Sequence, residues 1–141
     1  MIAAALRDLS THDDPVGRLR AAGRAAGRAA GRAATPEAVM LEQTLAPDLR
    51  EDRSLLEAVL RLTHPASAAP VSRGELVAWI LGAGLRIAAE SRALERRPAG
   101  AAEHPHPTAR AFLRRLDDHP PGWWKQGDIV LPRISFTLVA S

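Results

Sequence analysis

The 141 residues predict a mostly α-helical fold: a single domain of five or six helices, closed by a C-terminal strand or extended tail. Three observations predict it. Hydrophobic residues make up 46% of the chain but aromatics only 4%, with no Tyr. A core built from Ala, Leu, Val and Ile therefore suits helices better than sheets. Helix-start signals recur along the chain, and apolar residues recur at three- and four-residue spacing between them.

Taken in order, residues 1–9 read as a short helix. Asp14-Pro15 is a cap followed by proline at the first helical position, and opens a basic helix over 15–34. Thr35-Pro36-Glu37 repeats that signal and predicts a helix over 36–46. Asp48 is placed to cap a further helix from Leu49 to Thr63, amphipathic through Leu55, Leu56, Val59, Leu60 and Leu62. His64-Pro65 ends it, and residues 65–71 read as a loop. Ser72 and Glu75 form a capping box. The segment behind them, 73–97, predicts the central buried helix, apolar through Leu76, Val77, Trp79, Ile80, Leu81, Leu85 and Ile87. A Pro/Gly/His loop follows over 98–107. A last helix then runs from Pro107 to Asp118, with Ala109, Phe112, Leu113 and Leu116 inward. The tail, 123–141, alternates from Ile129: Ile134, Phe136 and Leu138 face one way, Arg133, Ser135 and Thr137 the other. That is a strand pattern, and a strand needs a partner from this chain, another copy or another subunit.

Of the 19 basic residues, 18 are Arg, which suits bidentate contact with phosphate or carboxylate. An Ala/Arg/Gly/Pro-rich composition also follows from GC-rich coding. The absence of Cys excludes disulfides, thiolate zinc sites and Cys nucleophiles. Neither a signal peptide nor a membrane span is legible, so a cytoplasmic protein is expected.

Residues 20–34 read RAAGRAAGRAAGRAA. Arg20, Arg24, Arg28 and Arg32 drift by ~40° and rise ~6 Å per four-residue step, forming one stripe. Arg18 extends it. Leu19, Ala22, Ala26 and Ala30 lie opposite, and Gly23, Gly27 and Gly31 border the stripe. Such a ruler of guanidinium groups fits successive phosphates, contacted without reading sequence. A solvated face left by repeat expansion would look the same. Arg110, Arg114, Arg115 and Lys125, beside Trp123 and Trp124, form a second patch suited to single-stranded nucleic acid. The Trp pair equally fits a lid on the core.

His104 and His106 lack the helical spacing of a metal-binding pair, and no nucleophile elbow, Walker A or Rossmann fingerprint is present. No metal, cofactor or catalytic residue is therefore expected.

Leu45-Ala-Pro-Asp-Leu-Arg-Glu-Asp, the Leu55–Leu62 run and Ser72-Arg-Gly-Glu-Leu-Val together resemble a ribbon-helix-helix DNA-binding domain over 39–90. That resemblance implies a dimeric transcriptional regulator with a strand at Val39–Leu45. In architecture, the whole chain resembles the small helical subunit of CRISPR effector ribonucleoproteins, which implies RNA binding in antiviral defence.

The expectation is a non-enzymatic subunit of a ribonucleoprotein that contacts RNA or single-stranded DNA and other protein subunits through these basic residues. The alternative is a helical adaptor or chaperone docking on an acidic protein surface.

Overall fold

The computed structural model describes the backbone of residues 2–32 and 38–141, and the side chains of residues 4–28 and 38–141. It corrects the predicted helical bundle: the chain is mixed α/β, 41% helical and 33% strand. Two compact units contain Met1–Leu45, Ala68–Ala93 and Arg133–Ser141 in the first, and Ala46–Ser67 and Leu94–Pro132 in the second.

The first unit begins with a strand, β1 (Ile2–Arg7), where a short helix was expected. A helix, α1 (Pro15–Arg32), connects it to β2 (Ala38–Thr44), which lies parallel to β1. Six residues of Ile, Ala, Leu and Arg carry helical propensity. The backbone bonds of a parallel pairing, with Leu6 beside Leu41, outweigh it. The helix expected over 36–46 is likewise β2 from residue 38 onward. Its start signal, Thr35-Pro36-Glu37, lies outside the described residues. The strand expected under the ribbon-helix-helix resemblance falls at nearly this place, but it is interior to a sheet, with β1 on one side and β5 (Asp128–Ala140) on the other. β5 runs antiparallel to β2, setting Leu41 against Phe136 and Gln43 against Ile134. The tail strand thus finds its partner inside the chain.

Asp14 caps α1 as expected: its Oδ1 accepts a hydrogen bond from Gly17 N at 2.9 Å. Leu19, Ala22 and Ala26 are buried against the sheet, the packing face foreseen opposite the arginines.

Ser72 caps α3 (Arg73–Gly82), accepting from Glu75 N at 3.1 Å. The buried helix expected over 73–97 stops there. Gly84 takes φ 76°, a left-handed conformation that glycine adopts without the Cβ penalty. The chain turns and continues as β3 (Leu85–Pro98), the edge strand of a sheet ordered β1-β2-β5-β3. The core of this unit gathers Leu19, Leu41, Leu76, Ile80, Ile134, Phe136 and Leu138 between the sheet and its helices.

In the second unit, α2 (Arg50–Thr63) and α4 (Pro107–Arg115) bury Leu56, Val59, Leu60 and Leu113 together with Trp123, Trp124, Ile129 and Leu131. Asp48 does not cap α2; Leu49 stands at the cap position and makes no side-chain bond there. The two-residue strand β4 (Trp124–Lys125) pairs with the start of β5. Gln126 and Gly127, with φ 52° and 80°, close this hairpin. Positive φ at both central residues matches the twist of the strands they join.

Candidate functional site

In sheets with adjacent parallel strands, ligands bind in the crevice beyond the strands' carboxyl ends, where short loops converge. β1 and β2 are such a pair, and their carboxyl ends carry most of this unit's buried polar chemistry. β1 leads into Asp8, whose φ of 50° is left-handed, and then into a 3-10 turn, Leu9–Thr11. Asp8 N donates to Glu42 O at 2.9 Å, pinning the turn to β2. Thr11 Oγ1 and Thr11 N both donate to Asp8 O, and His12 N donates to Leu9 O. The loop Asp8–Asp14 is thus held in shape by its own backbone while presenting Ser10, half-buried His12, Asp13 and Asp14.

β2 supplies Gln43 and Thr44, the buried polar side chains of this edge. Gln43 follows Val39 and Leu41 on the inward face of the strand, and its side chain is 0% exposed. Its Nε2 donates to Thr44 O at 3.2 Å and to Ser10 Oγ at 3.4 Å. Its Oε1 is buried without a hydrogen-bond partner among the described residues. β5 contributes Arg133. Its Nη1 donates to Asp8 Oδ1 at 3.0 Å and to Thr44 Oγ1 at 2.9 Å, and its Nη2 lies 3.5 Å from Glu42 Oε2. Arg7 reaches the same Glu42 carboxylate oxygen. One guanidinium therefore ties the loop after β1 to the end of β2, and planar, multidentate donation is what Arg offers over Lys for that task.

The residues expected to contact phosphate lie elsewhere. Arg18, Arg24 and Arg28 are exposed along α1. Arg20, also exposed, donates to Gly82 O at 2.9 Å, the open end of α3. The side chain of Arg32 lies outside the described residues. In the second unit, Arg114 and Arg115 are exposed in the last turn of α4 and Lys125 is exposed on β4. Arg110 is half-buried and donates to His104 O at 2.6 Å. Trp123 and Trp124 are 5% and 2% exposed and meet edge to face with centroids 6.4 Å apart, so they form part of the core and no stacking platform. His104 is occupied structurally: its Nε2 donates to Leu62 O, and its Nδ1 accepts from His106 N. No group of three metal-ligating side chains occurs among the described residues.

The polar edge of β1 and β2 gave no signal as a motif. Asp8 and Arg133 are 125 positions apart. The readable hint was the run Asp8-Leu-Ser-Thr-His-Asp-Asp, polar residues set between an apolar segment and a helix cap.

These elements define the chain's class: an α/β protein with a mixed sheet and its polar cluster at the carboxyl edge. Solved structures share this fold. BH2331 of Bacillus halodurans, provisionally described as a methyltransferase, superposes with a TM-score of 0.66 over 96% of this chain, at 9% identity. The YcgJ protein from Bacillus subtilis does so with a TM-score of 0.59 over 99%, at 11% identity. The chain spans 67% of the length of the first and 64% of the second. No protein-family profile matches the sequence, and no curated protein does. At such identity the likeness shows the fold. That is enough to overturn the resemblance to the CRISPR small subunit and to ribbon-helix-helix domains, along with the expectations resting on them. The RNA-binding, ribonucleoprotein and antiviral reading presumed a helical bundle; the chain has a five-stranded mixed sheet in an α/β fold. The expectation of a non-enzyme is corrected with it.

No helix among the described residues is long and apolar enough to cross a membrane.

Proposed function

We propose that the chain belongs to a methyl-transferring enzyme and supplies the acceptor side of its active site at the carboxyl edge of β1 and β2. One observation carries this reading. In a fold shared with a protein described as a methyltransferase, the loop after β1 and the end of β2 are locked together by Arg133 and present Ser10 and His12.

Methyl transfer to an oxygen or nitrogen acceptor requires a base for the proton the acceptor sheds. His12 is the candidate, because it is the imidazole carried on this loop and imidazole nitrogens commonly serve as general bases. Asp8, Thr44 and Arg133 are positioning groups: they fix the loop that carries His12. The buried Gln43 Oε1 is an acceptor that an N–H or O–H donor would satisfy.

Methyl-transferring enzymes commonly draw on S-adenosylmethionine. Nucleotide-type cofactors on doubly wound sheets are cradled by a glycine-rich turn between a strand and its helix. The corresponding turn here, Asp8–Asp14, contains no glycine and three aspartates. That turn therefore does not offer the glycine cradle such a cofactor takes.

The test is transfer of a labelled methyl group from S-adenosylmethionine, using the protein purified from its own cells with whatever accompanies it. Transfer to a hydroxyl or amine acceptor is expected, falling by about 10²–10⁴-fold in His12→Ala. Absence of transfer across those acceptor classes refutes the reading; transfer that is insensitive to His12→Ala refutes the assignment of the base.

A further inference from the structure

β3 is the edge strand of the sheet, with β5 as its neighbour. Its middle is exposed on both faces: Ala88, Ala89, Glu90, Ser91, Arg92, Ala93 and Leu94 are all open to solvent, Leu94 to 76%. Natural edge strands are usually short, bulged or covered, because a long edge offers unpaired N–H and C=O groups to any other strand. This one is fourteen residues long, and most of its middle consists of good helix formers. Pairing, not propensity or burial, holds it extended.

The sequence of this edge is complementary to itself. A two-fold axis normal to the sheet keeps every side chain on its own face, so a residue can oppose only positions of the same parity. With the axis at Ser91, Glu90 of one copy opposes Arg92 of the other, twice. Ala89 opposes Ala93, and Ala88 opposes Leu94, whose exposed side chain gains an apolar neighbour. Centring on Glu90 or on Arg92 instead sets two like charges face to face. Arg92 has no ion-pair partner within its own chain among the described residues. Glu90 is held by Arg73 Nη2 at 2.9 Å, which fixes its carboxylate near the strand. Further out, Arg86 opposes Arg96, whose charge is met by Asp128 at 2.6 Å in its own chain.

We propose that β3 is a homodimerisation edge: a second copy of this chain pairs with it antiparallel, in the register centred on Ser91. The sheets of the two copies then become continuous, and each Glu90 meets the partner's Arg92. The proposal is independent of the methyl-transfer reading.

Sedimentation equilibrium of the full chain tests it, with far-UV circular dichroism confirming the fold of each variant. Wild type is expected to be dimeric. Glu90→Lys and Arg92→Glu each replace two opposite-charge pairs with two like-charge pairs, weakening self-association by about tenfold or more. The first variant is positive at both positions and the second negative at both. Mixed in equal amounts, they set opposite charges face to face at each pair, and a heterodimer forms. A monomeric wild type overturns the proposal. So does a dimer untouched by either substitution, or a mixture that stays monomeric. A register centred on Ala93 would pair Glu90 with Arg96 and be indifferent to Arg92→Glu.

Discussion

Three glycines of α1 offer the same chemical change in three different surroundings. Replacing Gly by Ala inside a helix stabilises it by about 0.8–1.0 kcal/mol through propensity alone. At Gly27 a new Cβ meets nothing within 4 Å and opens on a cavity of about 400 Å³ lined by Gly23, Ala26, Leu85 and Leu138. The full gain of about 1 kcal/mol is expected there, some 3 °C in melting temperature for a chain of this size. At Gly23 the Cβ would stand 3.1 Å from Leu85 Cδ2, on a side chain only 3% exposed. Leu85 must shift by a few tenths of an ångström out of its packing to admit it. Overpacking of this kind costs about 1–3 kcal/mol, so Gly23→Ala is expected to be neutral or destabilising. At Gly17 the Cβ collides with the Asp14 carboxylate. That carboxylate swings aside easily but gives up the cap, worth about 1 kcal/mol, and the gain and loss nearly cancel. Urea denaturation followed at 222 nm gives the three differences against wild type. Equal stabilisation by Gly23→Ala and Gly27→Ala would refute the packing of α1 on the sheet through its glycine-bearing side. Destabilisation by Gly27→Ala would refute the open space at its second half.

Two further outcomes follow from the second unit. Burial, then the nearby Arg97 charge, lowers the His64 pKa below its ordinary value. The folded state therefore favours the neutral ring: its contribution is present above the unfolded value near 6.5 and is lost as pH falls through the folded one. Stability measured from pH 7.5 to 5 should decline, and His64→Gln should flatten that decline; an unchanged slope rejects the assignment. The two neighbouring tryptophans should respond unequally to Phe. Trp124→Phe loses the 2.8 Å bond from Nε1 to Asp117 Oδ1, about 0.5–1.5 kcal/mol. Trp123→Phe removes an Nε1 that is buried without a partner among the described residues. Beyond the ring volume common to both changes, chemical denaturation should show the greater loss at Trp124.

Legibility in the sequence followed the range of the interactions. Features fixed within a few residues were readable: the Asp14 cap, the Ser72 cap, the apolar stripe of α2 and the alternation of β5. Features fixed by distant pairing were not. β1 and β3 are written largely in Ala, Leu, Arg and Glu, residues that favour helices in isolation. β1 is a strand because β2, more than thirty residues on, supplies its hydrogen bonds. β3 is one because Gly84 turns the chain back along β5, where Ser141 N donates to Gly84 O. The polar edge was hidden for the same reason. Arg133 read as one outward residue in a tail strand, and Asp8 as part of a short helix over 1–9. Their 3.0 Å contact exists only once β2 lies between their strands.

The geometry read from the Arg-Ala-Ala-Gly repeat is present in the structure, and the packing of α1 supplies a cause for it within the fold. Its stripe and its opposite packing face are both present: Arg24 and Arg28 are exposed, Ala22 and Ala26 buried. A helix linking two parallel strands must lie close on their sheet while its outer side meets water. Ala on the inner side permits a short helix-to-sheet distance, and Gly23 permits the contact with Leu85 that any Cβ would crowd. Arg on the outer side supplies solvation, and Arg20 additionally reaches the open carbonyl of Gly82 at the end of α3. A connecting helix packed on a sheet thus satisfies both halves of the pattern, small residues within and guanidinium groups without. The buried half of the pattern follows from that packing, which leaves the guanidinium groups of Arg24 and Arg28 facing solvent.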